Sequence, residues 1–514
     1  MANLQKVISS CESLKSFFNT GKTLSYDFRI NQLNALRSLV SENKSKILEA
    51  LKQDLNKSYA EAVIMEYGVL MTEIKDMINN LSHYMEPEKV RMPSTVFATN
   101  SGEIHKDPLG LTLIIGAWNY PISECLGPLV GAIAGGNVTF IKPSESSSAS
   151  EQLLSELIPK YLDNRATICL PCSIETSKNI VKSIEFDHIF YTGGTYVGKI
   201  IAKDSAHYLP RLTLEMGGKN PVYIADDCNF DYTMKRLITW KSYNAGQICL
   251  NADYIICSKM MQDKIVRELP NIMKNFAFVQ TNGKAVEDDR VSKIINKNHF
   301  NRMEKVLNGM DSKKLFYGGE RDENNHKFET TFFKDVELDD IIMQDEIFGP
   351  LMPILPKAEN IDEAINLINK IQRKNGKPLA SYIFSENTSD QEKFLKNTTS
   401  GGVSVNDILM HAAIDTLPFG GVGLSGQGSF HGKATFDRFV HQKSVLKTNW
   451  LGKFLWPKLM KPVFNEQETK MMEAMLPGLP FDGWRVWDKF VGFVNFLVVV
   501  WAGYLTVDKF YLQK

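Results

Sequence analysis

The stretch His188-Ile189-Phe190-Tyr191-Thr192-Gly193-Gly194-Thr195-Tyr196-Val197-Gly198 is a short apolar run that stops at paired glycines and is followed by a segment of helical length. It repeats a texture that begins at Gly110. Leu111 to Ile115, Val138 to Ile141 and Ala166 to Leu170 are also apolar runs ending in turn residues, separated by helical lengths. Strands that alternate with helices in this way build a parallel sheet with helical crossovers, so the fold class is α/β. Ligands of such sheets bind at the carboxyl ends of the strands. The turn after Thr192 has the form G-x-T-x-x-G, in which Gly193 would let a diphosphate approach backbone N–H groups and Thr195 would offer a hydroxyl; an ordinary glycine turn is the alternative.

Other strand ends carry further chemistry. Ala117-Trp118-Asn119-Tyr120-Pro121 and Lys142-Pro143-Ser144-Glu145 follow the first two runs. Leu212-Thr213-Leu214-Glu215-Met216-Gly217-Gly218 ends a run in a carboxylate, either a general base with its pKa raised by its surroundings or a solvated loop acid. Asn244-Ala245-Gly246-Gln247-Ile248-Cys249-Leu250 sets one cysteine after a small-residue turn, as an activated nucleophile or as a buried apolar thiol. Glu346 and Phe348 stand two apart before Gly349-Pro350, an acid that could grip a ribose and an aromatic that could flank a ring. Leu417 to Gly426 is glycine-dense. Cys169 and Cys172 form a C-x-x-C without a second half-site, which favours a structural role over metal.

Composition narrows the partners. Lys plus Arg equal Asp plus Glu at 59 each, which leaves no basic surplus for nucleic acid. Seven scattered cysteines and no visible secretory signal point to reduced thiols facing the cytosol. Residues 1–80 have the apolar spacing of amphipathic helices, and Phe97 to His105 reads as extended. Residues 260–330 say little about chemistry. Phe490 to Val507 is an uncharged run of 18 residues, long enough for ~27 Å of helix, and is expected to be a C-terminal transmembrane anchor rather than a buried helix.

Taken in order, AWNYP, IKPSE, TGGTYVG, LEMGGKNP, NAGQICL, EIFGP and LPFGGVGLSGQG resemble the aldehyde dehydrogenase superfamily from about residue 105 to 445. The short N-terminal region and hydrophobic tail make the class 3 branch the best match, and within it the membrane-bound fatty aldehyde dehydrogenases. The resemblance implies a variant Rossmann cofactor domain of 1–81, 107–213 and 402–429, and an α/β catalytic domain of 214–401. It implies bridging, oligomerising segments at 82–106 and 430–450, a linker with a substrate-gating helix at 451–489, and the anchor at 490–507.

The same resemblance assigns roles. Cys249 is the nucleophile, Glu215 the base that activates water, and Asn119 an oxyanion donor beside the Cys249 N–H. Lys142 and Glu145 hold the adenosine ribose, Gly193 and Thr195 the diphosphate, and Glu346 and Phe348 the nicotinamide riboside. NAD is favoured because Glu145 would repel a 2′-phosphate, with NADP as the second cofactor. The expected reaction is NAD-dependent oxidation of medium to long-chain aliphatic aldehydes to acids. The alternatives are a dehydrogenase of aromatic or short aldehydes whose tail serves only for location, or a catalytically silent membrane scaffold. A homodimer is expected, its catalytic domain facing the cytosol from the endoplasmic reticulum, with mitochondrial and peroxisomal membranes as the alternatives.

Overall fold

The computed structural model describes residues 1–92, 100–275, 285–450, 453, 465–467, 469 and 470. It falls into two units, one of residues 1–86 with 106–443 and one of 87–105 with 444–514.

The first unit opens with helices whose starts are written in the sequence. Asn3 accepts the Lys6 N–H at 2.9 Å to cap Leu4–Phe18, and Ser25 accepts the Phe28 N–H at 3.2 Å to cap Tyr26–Glu42. Val7, Cys11 and Leu14 lie on one buried stripe, as do Leu33, Leu36 and Val40. The last of these helices, Val69–Met85, stops just before Pro87, where the residue preceding proline is steered out of helical geometry.

Two sheets follow. The first has six strands in the order Gly426–Gln427, Arg211–Glu215, His188–Thr192, Leu111–Ile115, Val138–Lys142 and Thr167–Cys169, all parallel except the first. His188–Thr192 and Val138–Lys142 are buried along their whole length, as a parallel sheet covered on both faces requires. The chain starts at Leu111–Ile115 and winds outward to both sides, so the sheet has a switch point between that strand and His188–Thr192. The second sheet has seven strands, ordered Leu315–Tyr317, Thr331–Phe333, Leu351–Leu355, Tyr254–Cys257, Pro221–Ile224, Ala380–Phe384 and Gly402–Val405. The α/β reading, with Rossmann-like sheets, therefore holds.

Two segments sit elsewhere than expected. Gly402–Val405, assigned with residues 402–429 to the cofactor domain, pairs in parallel with Ala380–Phe384 in the second sheet. A strand of four residues carries no information about its neighbour. The start of the expected bridging segment, 430–443, belongs to the first unit, where Phe436 and Phe439 are buried in the core shared with the Ser123–Gly135 helix. That contact depends on glycine, since a Cβ at Gly131 would lie 2.4 Å from Thr435 Cγ2.

In the second unit, Glu88–Val90 pairs antiparallel with the Asn100–Pro108 strand, pairing Glu88 with Ile104. Of the expected gating helix in 451–489, residues 466, 467, 469 and 470 are helical, and the Thr469 N–H donates to the Asn465 carbonyl at 2.9 Å. The rest of that helix and the anchor at 490–507 lie outside the described residues. Among the described residues no helix is long and apolar enough to cross a membrane.

Candidate active site

Cys249 follows three consecutive left-handed residues, Asn244 (φ 50°), Ala245 (φ 49°) and Gly246 (φ 71°). Only glycine adopts this geometry freely, and the other two are held from outside. The Asn244 N–H donates to Glu61 Oε1 at 2.5 Å, and buried Gln247 donates to the Asn244 and Lys293 carbonyls at 2.8 and 3.0 Å. Asn220 then fixes the cysteine itself, its Nδ2 donating to the Cys249 carbonyl at 2.8 Å. A Cβ on Gly246 would sit 2.3 Å from the Gly349 carbonyl oxygen, so the cysteine loop and the loop carrying Glu346 and Phe348 meet backbone to backbone.

The thiol opens into a cavity of about 1090 Å³ at the carboxyl ends of the first sheet. All nine residues singled out from the sequence line it: Asn119, Lys142, Glu145, Gly193, Thr195, Glu215, Cys249, Glu346 and Phe348. Burial pushes the Cys249 thiol well up, and Glu124, Glu346 and Glu215 push it further.

Glu215 ends the Arg211–Glu215 strand at 3% exposure, with neither carboxylate oxygen hydrogen-bonded among the described residues. Burial, with Glu124 adding to it, holds its carboxyl well above the usual range. The solvated-loop alternative is excluded. A buried acid with free oxygens is poised to accept a proton.

Asn119 is placed by residues that no local reading would connect to it. Lys57 Nζ donates to the Asn119 carbonyl at 2.8 Å and pairs with buried Glu66 at 2.5 Å. Glu66 in turn accepts the Ile122 and Ser123 N–H groups at 3.0 and 3.2 Å, which pins the start of the Ser123–Gly135 helix. The Asn119 amide donates one hydrogen to the Gln247 carbonyl at 3.2 Å and has a second to give.

The remaining residues form the cofactor end. Lys142 and Glu145 are ion-paired; burial alone would raise the Glu145 carboxyl, but the Lys142 hydrogen bond and charge outweigh it and hold it below the usual range. Gly193 must lack a side chain, since a Cβ there would lie 2.3 Å from Tyr191 Oη. Thr195 begins the Thr195–Ser205 helix, but its hydroxyl donates to the Leu424 carbonyl at 3.1 Å. What it offers an anion is therefore the backbone N–H of a helix N-terminus and not the expected hydroxyl. Gly217 makes room for Glu346, whose Oε1 would be 2.2 Å from a Cβ at that position. Phe348 (φ 47°) meets Trp118 edge-on with ring centroids 5.3 Å apart.

Sequence reading passed over several contributors. Arg302 donates to the Glu346, Ile347 and Phe348 carbonyls at 3.3, 2.7 and 3.4 Å, and His299 packs on Trp118 at 4.8 Å. Both lie in the 260–330 stretch that carries no motif. Glu124, which lines the same cavity, was also missed; an acid in a helix's first turn ordinarily reads as a solvated dipole partner. Cys169 and Cys172 are buried free thiols, and no metal-holding cluster occurs among the described residues.

A nicotinamide dinucleotide fits this site. The cavity joins a helix N-terminus to two carboxylates at separate points, and its wall leaves Tyr196 78% and Ile174 59% exposed, apolar surface suited to a flat ring. A model of the aldehyde dehydrogenase family matches residues 2–445. The rat protein aldehyde dehydrogenase family 3 member A2 is 40% identical over 466 residues, covering 90% of this chain and 93% of its own. A mouse protein, aldehyde dehydrogenase, dimeric NADP-preferring, is 40% identical over 446 residues, covering 87% and 95%. Among solved structures, substrate-bound AldH of Staphylococcus aureus superposes with a TM-score of 0.81 at 34% identity, covering 89% of this chain and 99% of that one. With its motifs gathered around one cavity and the family match spanning nearly all of the described residues, this chain belongs to the aldehyde dehydrogenase family and is an NAD(P)-dependent aldehyde-oxidising enzyme.

Proposed function

We propose that the chain oxidises medium to long-chain aliphatic aldehydes to carboxylic acids, with NAD as the preferred cofactor. The observation that carries the reading is the convergence of Cys249, Glu215 and Asn119 on one cavity with the cofactor residues. The Cys249 sulfur, as thiolate, attacks the aldehyde carbon and forms a hemithioacetal. The Asn119 amide and the Cys249 N–H hold the oxyanion, each donor worth roughly 3 kcal/mol of barrier. A nicotinamide held by Glu346 and Phe348 would supply the acceptor for the hydride lost from the tetrahedral carbon. The Cys249 thioester remains. Glu215 takes a proton from water as the water attacks that carbonyl, and the thiolate departs with the acid released.

Lys142 and Glu145 would hold the adenosine ribose, Gly193 and the Thr195 N–H the diphosphate, and Glu346 and Phe348 the nicotinamide riboside. Glu145 disfavours a 2′-phosphate, whereas its pairing with Lys142 and the mouse relative's NADP-preferring name support NADP as a second cofactor. The same name, which includes the word dimeric, supports a homodimer, for which the bridging segments would be 82–106 and 430–450. The uncharged Phe490 to Val507 run supports a C-terminal anchor, with the catalytic body on the cytosolic face of the endoplasmic reticulum. The 451–489 segment would then meet lipid-borne aldehydes before they enter.

Cofactor reduction across saturated aldehydes of two to eighteen carbons, with Cys249→Ser as control, tests the reading. Activity rising with chain length and absent from the variant supports it. A peak at short or aromatic aldehydes removes the lipid substrate, and no turnover of any aldehyde removes the proposal. Deleting 451–514 should cut activity on sixteen-carbon aldehydes far more than on short ones; equal loss would sink the gating role.

A further inference from the structure

Glu61 is a buried carboxylate, 3% exposed, that the reaction as described does not use. It gathers three stretches of chain that are far apart in sequence. Oε1 accepts the Asn244 N–H at 2.5 Å, and the Ser292 hydroxyl lies 3.2 and 3.0 Å from Oε1 and Oε2. Oε2 also accepts the Ser58 N–H at 3.1 Å and the Ser58 hydroxyl at 3.2 Å, while Ser58 Oγ takes the Glu61 N–H in a reciprocal cap. Anchored at Ser58 and Ser292, the carboxylate presents Oε1 to Asn244 as a fixed point.

Asn244 needs such a point. It and Ala245 stand at φ 50° and 49°, where a side chain is crowded and the turn relaxes unless contacts from outside hold it. The Asn244 side chain then carries the constraint onward, its Nδ2 donating to the Asn119 and Gln247 carbonyls, both at 3.0 Å. The Gln247 carbonyl also accepts the Asn119 amide at 3.2 Å. Through one intervening residue, Glu61 therefore meets both the chain that bears Asn119 and the turn that leads into Cys249.

We propose that Glu61 is a positioning residue for the oxyanion site: by holding the Asn244 N–H it sets the spacing between the Asn119 amide and the Cys249 N–H. Glu61 touches no reacting atom. What the reaction requires of it is reach, an acceptor at the right distance from Asn244, and not negative charge.

The inference rests on Asn119 and the Cys249 N–H as oxyanion donors. The test is steady-state kinetics of the full-length chain on a saturated aldehyde that the parent turns over, with iodoacetamide alkylation of Cys249 measured beside it. Glu61→Asp keeps the charge but draws the acceptor back by one methylene, and kcat should fall roughly ten- to hundredfold, the scale of a displacement of about 1 Å. KM for the cofactor should stay near the parent value, and so should the alkylation rate, since that reaction forms no oxyanion. Glu61→Gln, whose carbonyl oxygen still reaches Asn244, should come within about threefold of the parent kcat. Glu61→Asp combined with Asn119→Ala should lose well short of the product of the two single losses. A parental kcat in Glu61→Asp overturns the proposal, as do an equal fall in Glu61→Gln, fully multiplicative losses, or a raised cofactor KM and altered alkylation alongside the fall. If Glu61→Asp does not fold, Ser292→Ala takes its place: a lowered kcat at unchanged cofactor KM supports the proposal and a parental kcat overturns it. A parental kcat in Asn119→Ala would instead overturn the oxyanion assignment, so the two failures are distinguishable.

Discussion

Lys219 Nζ lies 2.5 Å from Asp253 Oδ2, with both side chains almost fully buried, and the pair holds the loop that carries Glu346. Lys219 also donates to the Ile342 and Asp345 carbonyls at 3.1 and 2.9 Å, while Asp253 Oδ1 accepts the Ile347 N–H at 2.9 Å. One ion pair therefore grips both flanks of Glu346. Asp253→Ala leaves a buried ammonium without its anion, and such a break costs roughly 3–5 kcal/mol. Urea unfolding should show that loss, and KM for the cofactor should rise.

Lys57 serves Asn119 in a similar way from far away in sequence. Lys57→Met should lower kcat about tenfold by loosening the oxyanion donor, less than the roughly 10²- to 10³-fold drop expected for Asn119→Ala. Steady-state kinetics should find KM for the cofactor little changed in Lys57→Met, since its contacts lie at the thiol end.

Glu215→Gln should separate the two half-reactions. Its amide cannot take the proton from water, so the thioester should accumulate: a burst of about one reduced cofactor per site, then turnover slowed by roughly 10²- to 10⁴-fold. Rapid-mixing absorbance and intact mass would show the acyl adduct on Cys249.

Stability of the cofactor-free protein should fall as pH rises from ~6.5 to ~8. Burial first, and Asp253 second, push the Glu346 carboxyl up to about 8, and Glu124 stands at about 7. Between their ordinary values and these, the folded chain binds protons that the unfolded chain has lost. Their stabilisation is complete at low pH and is lost as pH passes through 7 and 8. His411 and His431, at about 4, act below this window, and Lys241, at about 8, acts above it. Thermal melts of Glu346→Gln should show a flatter slope.

Much of the first sheet was legible, because apolar runs, turn residues and helical lengths follow one another within about 30 residues. Cys249, Glu215 and Asn119 were legible for the same reason: each stands in a contiguous motif at a strand end or tight turn. Lys57, Glu124, Arg302 and Asp253 were not. Each acts through tertiary contacts with residues outside its own local pattern, and polar residues on helices look alike whether they face solvent or a cavity. Thr195 shows the limit within a motif, since nothing near residue 195 announces that Leu424 will take its hydroxyl hydrogen.

Gly246 and Gly349 carry a consequence for substrate range. On the proposed assignment, the first belongs to the loop that presents the attacking sulfur and the second to the loop that grips the hydride acceptor, and main chain touches main chain where they meet. The spacing between donor carbon and acceptor ring is then gauged by two abutting backbones, whatever aldehyde occupies the pocket. Such an enzyme can widen or narrow its diet by reshaping the entrance while the inner gauge stays the same.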